Sequence, residues 1–228
     1  MPSDIQILIE DTASHLNRLM RDPLVDTIIV IPAPCDDFTP RTHYRLSPND
    51  PFIIQLTARD NYWCQFAYQF SHELCHVLSD CERLEGYPNN WFHESLCELA
   101  SVFTLRCMAE TWQDNPPYPG RCDYADSLAA YAEELLSRKE RQLPTDMDLS
   151  TWLQCEEESL RRDRYQRDKN AVAAYILLPI FENDPAGWNA IRRLPSSSTM
   201  FRDYLPEWQT LAESTEKAFV KRIVDAFA

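Results

Sequence analysis

The chain reads as an α+β protein, predominantly helical, with a small N-terminal sheet and a helical C-terminal half. Three observations carry that expectation. Three glycines against sixteen prolines in 228 residues favour helices punctuated by proline over a sandwich of short, glycine-turned strands. Apolar residues recur at helical spacing through much of the sequence. The two β-branched runs both lie within the first sixty residues. With 44 % hydrophobic residues, the chain can bury a sizeable core.

From Ser3, a suitable N-cap, Ile5, Leu8, Ile9, Ala13, Leu16 and Leu19 mark an amphipathic helix to about Met20. Thr27 to Ile31 is a strand stopped by Pro32 and Pro34, and Phe52 to Thr57 a second strand opened by Pro51. Residues 36–50 between them form a polar, proline-containing loop. Phe52 to Thr57 is either a core strand or an exposed edge to which an extended peptide could add as a further strand. Asp60 can cap the helix from about Asn61 to Ser79, and Gly86, Pro88 and two asparagines then turn the chain. A second buried helix follows Asn90. The proline-rich stretch Gln113 to Asp123 is a break, which suggests parts 1–112 and 113–228 packed as one domain. Beyond it, Ser127 to Arg141 and Asp148 to about Arg162 read as helices, Ala171 to Leu178 as a helix ended near Pro179, Gly187 to Leu194 as a short helix, and Glu207 to Phe227 as one amphipathic helix. The charges from Glu156 to Arg164 read as a solvated face with local ion pairs.

Within the helix from Asn61 lies His72-Glu73-Leu74-Cys75-His76. Residues four apart stand one turn above each other, so His72 and His76 project side by side and can grip one metal ion. Glu73 lies about 100° round the helix, close enough to reach a water at that metal without being a ligand. It is the one formally charged side chain from Tyr62 to Leu78 besides the imidazoles, and a carboxylate in such a segment needs a reason to be there. In the next helix Glu94 and Glu98 stand four apart, with no Lys or Arg from Trp91 to Leu105. Two like charges on one apolar face call for an external cation, and a divalent ion held by His72 and His76 supplies it. Glu94 then becomes the third ligand, with the fourth position left to water. Glu98 is placed to accept the free imidazole proton of a ligand histidine. His93, about 100° from Glu94 on the helix, competes as third ligand.

His-Glu-x-x-His followed by a Glu on the next helix resembles the signature of the gluzincin metallopeptidases, which include thermolysin-like and aminopeptidase-N-like enzymes. Trp91-Phe92-His93-Glu94 is similar to the Trp-x-x-Glu that carries the third ligand in the aminopeptidase-N branch. Glu94-x-x-x-Glu98 is similar to the thermolysin pattern, in which an acid four residues on orients a ligand histidine. The resemblance covers about Phe52 to Arg106 and implies a zincin-like fold with Zn²⁺ on His72, His76 and Glu94, Glu73 as general base and Glu98 behind a ligand histidine. The seventeen residues between His76 and Glu94 differ by one or more from those patterns, a difference the loop absorbs. The Gly-x-Met-x-Asn motif of the aminopeptidase branch is missing, since no glycine precedes Gly86. In that branch a tyrosine ahead of a downstream helix donates to the oxyanion. Tyr165 matches it in placement, with Tyr175 the alternative.

The net charge of −14 sets the chain against nucleic-acid backbones and anionic membranes, whereas a basic peptide or protein substrate is attracted. No apolar run is long enough to cross a bilayer, and Met-Pro-Ser-Asp is not a secretory signal. Eight cysteines without close pairs point to reduced thiols and a cytoplasmic home. Two rival expectations keep the same ligands. In one a metal staples two helices of a non-catalytic interaction module. In the other two histidines and a carboxylate hold non-haem iron.

Overall fold

A computed structural model describes residues 3–34, 38–43, 45–118 and 123–228, with the side chains of Ser3 and Cys81 excepted. The chain is α+β and mostly helical, with a three-stranded mixed sheet near its N-terminus. It forms two compact units, with the chain passing from one to the other after Leu78, Leu99 and Leu135; part of the proline-rich stretch (119–122) lies outside the described residues. The first unit comprises Met1–Leu78 with Ala100–Leu135, the second Ser79–Leu99 with Leu136–Ala228.

In the first unit α1 (Ser3–Asn17) buries Ile5, Leu8, Ile9 and Leu16 along one stripe, as the spacing required. Three strands follow: β1 (Ile28–Pro32), β2 (Arg41–His43) and β3 (Phe52–Leu56), in the order β1-β3-β2. β2 falls in what the sequence marked as a loop. It also corrects the possible edge role of residues 52–57, because β3 is central, parallel to β1 and antiparallel to β2. The reason is visible in burial: Phe52, Ile54 and Leu56 fill the core, and an edge would have left one side of that run in water.

The ladder fixes which backbone groups face outwards. Phe52 donates its N–H to Thr27 O (3.0 Å) and Ala33 to Leu56 O (2.7 Å). Residues 52, 54 and 56 therefore turn their polar groups to β1, and Ile53 and Gln55 turn theirs to β2. His43 and Arg41 stand opposite Ile53 and Gln55. Thr42 consequently directs its own N–H and C=O away from the sheet.

α2 (Trp63–Leu78) packs on β2 and β3. Gln69 ties it down: Oε1 accepts the N–H groups of Thr57 and Ala58 (both 2.9 Å), and Nε2 donates to Thr57 Oγ1 (2.9 Å). Asp60 is no cap on this helix but takes a left-handed turn at φ 51° before it. α3 (Asn90–Asp114) is longer than the sequence suggested, and its residues from Ala100 onward belong to this unit. There Ser101 Oγ donates to Tyr68 O (2.9 Å), and Trp112 Nε1 donates to Asp11 (2.8 Å). α4 (Tyr124–Ser137) completes the unit up to Leu135, with Tyr124 against Trp63.

The second unit holds the first turns of α3, a 3₁₀ turn at Lys139–Arg141, α5 (Leu149–Arg162), α6 (Arg167–Asn183), a 3₁₀ stretch at Pro185–Arg193, α7 (Phe201–Leu211) and α8 (Lys217–Ala226). Asp148 caps α5 by accepting from Thr151 N (2.7 Å). α6 runs through Pro179 instead of ending there. Proline forfeits the bond to Tyr175 C=O, but Phe181 beyond it packs on Trp188 (4.5 Å) and Phe219 (4.8 Å), and that burial carries the helix on. The single helix expected over 207–227 is two, α7 and α8. Glu216 reaches back to Glu213 N–H (3.2 Å), a local capping arrangement that outweighs the apolar periodicity. Phe92, Phe201, Tyr204, Trp208 and Phe227 form the aromatic core. The acidic-basic run is a surface with ion pairs, among them Arg162–Glu158 (2.6 Å) and Lys169–Glu156 (2.6 Å).

Candidate metal centre

α2 carries the first half of the candidate site. His72 and His76 stand one turn apart with ring centroids 5.1 Å from each other and planes at 69°, both half-buried. Glu73 is 3 % exposed. Thr42 on β2 meets it: Thr42 Oγ1 lies 3.0 Å from Glu73 Oε2 and 3.0 Å from the Glu73 main-chain oxygen.

On the first turns of α3, His93, Glu94, Cys97 and Glu98 are all buried. Helical geometry puts His93 about 40° to one side of Cys97 and Glu94 about 60° to the other, so these three share a face. His93 Nε2 is 2.6 Å from Ser79 Oγ and 3.7 Å from Cys97 Sγ. Glu98 has a protein cation. Arg141, 5 % exposed, donates from Nη1 to Glu98 Oε1 (3.0 Å) and from Nε to Asp168 Oδ1 (3.0 Å). Tyr175 donates its hydroxyl to the same Glu98 oxygen (3.0 Å) and accepts from Arg141 Nη1 (3.1 Å). Burial, reinforced by the Glu98 charge, pushes the Tyr175 phenol well above its ordinary range. The positive partner that sequence reasoning assigned to a metal is, for this oxygen of Glu98, Arg141.

Replacing Arg141 by Met strips a buried carboxylate of its guanidinium, and the chain is expected to lose about 3 kcal/mol of stability. Urea unfolding measures it. A loss below about 1 kcal/mol would show that Glu98 does not depend on this partner.

Among the described residues, His72, His76 and Cys97 are the group of side chains able to hold a metal ion. Cys97 lies in an apolar helical segment and at 0 % exposure is a buried thiol, but the face it shares with His93 and Glu94 is the signal in the sequence that it can serve as a donor. Glu94, the third ligand the resemblance implies, is not in that group. Two imidazoles and a thiolate are a donor set that suits zinc. Tyr165 is 66 % exposed in the turn between α5 and α6. Its hydroxyl accepts from Arg164, whose guanidinium lies over its ring at 4.7 Å. The phenol beside an acidic residue of α3 is the half-buried Tyr175.

Among the described residues, Cys64, Cys75, Cys97, Cys107 and Cys155 are free thiols, and no helix is long and apolar enough to cross a membrane. No family model, no curated protein and no solved structure matches the chain.

Proposed function

We propose that the chain is a zinc-dependent metallopeptidase whose sequence signature resembles that of the gluzincins. The observation that carries the reading is Glu73, a nearly fully buried carboxylate next in sequence to one of two metal-capable imidazoles a turn apart, and held by a hydroxyl from an edge strand. His72 and His76 are the histidine ligands and α3 supplies the third donor. That donor is Cys97 on the grouping of side chains and Glu94 on the family resemblance. Zinc in such a site supplies Lewis-acid polarisation of a carbonyl. Glu73 takes a proton from the attacking water and returns it to the departing amine, the work of a positioned carboxylate. An extended peptide is the fitting substrate, because the strand register turns the N–H and C=O of Thr42 away from β3, along the outer side of β2 and beside Glu73. The acidity of the chain favours basic peptides.

The test is direct. Protein purified without added metal is expected to hold about one zinc per chain and to cleave members of a randomised peptide library, with cleavage lost to 1,10-phenanthroline. Iron in place of zinc, or an uncut library, rejects the reading. A second reading has an observation of its own: a thiolate beside two imidazoles is common in structural zinc sites. In that case the metal staples helices of an interaction module, and chelation lowers stability with no peptide cut.

A further inference from the structure

We propose that Thr42 is a positioning residue for Glu73, which rests on the reading of Glu73 as the base. The side chain of Thr42 lies on the opposite sheet face from Arg41 and His43, and its hydroxyl meets two oxygens of one residue, the main-chain O and Oε2 of Glu73, each at 3.0 Å. A glutamate has three side-chain torsions, and a hydroxyl within reach of both its carbonyl and its carboxylate, with one proton to give to either or to share between them, favours one folded arrangement. Given to Oε2, that proton leaves Oε1 to accept the water proton.

The same residue faces two ways. Its N–H and C=O point out along the open side of β2, where an incoming strand would pair, while its hydroxyl points in at the base. Pairing of a peptide to Thr42 thus steadies the residue that steadies Glu73, so substrate capture and alignment of the base share one hinge point.

Thr42→Val keeps shape and β-branching and removes the hydroxyl alone. With the randomised library reduced to its best-cleaved peptide, this variant is expected to lose about 10–100-fold in kcat, with KM within about twofold of wild type. Thr42→Ser, which restores a hydroxyl, is expected to recover to within about threefold. Zinc content and melting temperature should match wild type in both. Full kcat in Thr42→Val overturns the proposal, as does a rise in KM at unchanged kcat or a failure of serine to rescue. A wild-type protein that cuts no peptide rejects instead the reading on which this rests.

Discussion

Glu73→Gln is expected to lower turnover by about 10³-fold, within the range that a lost general base commands. The amide is nearly isosteric and can still accept from Thr42, but it cannot take a proton from water. On the proposed reading, in which Glu73 is the base and no ligand, zinc is expected to stay near one per chain. Stability should hold or rise slightly, because a buried charge is removed from a site that is 3 % exposed. These three readouts separate a base from a ligand and from a structural carboxylate. Cleavage at wild-type rate would falsify the mechanism, and loss of metal would make Glu73 a ligand.

The second large effect concerns metal affinity. Zinc bound with about 10–16 kcal/mol by three or four ligands derives about 3–4 kcal/mol from each, so removing one costs about 10²–10³-fold. His72→Ala and His76→Ala should each show that loss in competition against a chelator. Cys97→Ser is expected to match them, and Glu94→Gln to stay within about tenfold of wild type. In the cobalt-substituted protein, the sulfur-to-metal charge-transfer absorption should vanish in Cys97→Ser alone. The reverse pattern, affinity lost in Glu94→Gln and kept in Cys97→Ser, would restore the carboxylate ligand that the family resemblance implies.

The parts legible in the sequence were those with long, uniform signals. The β-branched runs at Ile28–Pro32 and Phe52–Leu56 and the apolar helix around His72 announced themselves by composition. β2 did not, because Arg41, Thr42 and His43 are three polar residues with no pattern of their own. They form a strand because β3 lies beside them with its groups unpaired. Arg141 escaped for a different reason. Its partners Glu98 and Asp168 are 43 and 27 residues away, and nothing local distinguishes it from other basic residues. The break between α7 and α8 was written in Glu213-Ser-Thr-Glu216, but periodicity was allowed to override capping chemistry. Cys97 shows the limit of burial arguments, since an apolar segment tells that a thiol is inside but not what it faces.

β2 has three residues, and two of them spend their main-chain groups on β3. An approaching strand therefore meets a single rung, one donor and one acceptor, both from Thr42. Two main-chain hydrogen bonds of about 0.5–1.5 kcal/mol each fall short of the entropy of holding a peptide in place. A passing unfolded chain gains too little there to linger next to the carboxylate. In the proposed peptidase, selection would thereby pass from the backbone, which every protein shares, to side chains, which few share, and the short edge would guard against indiscriminate digestion.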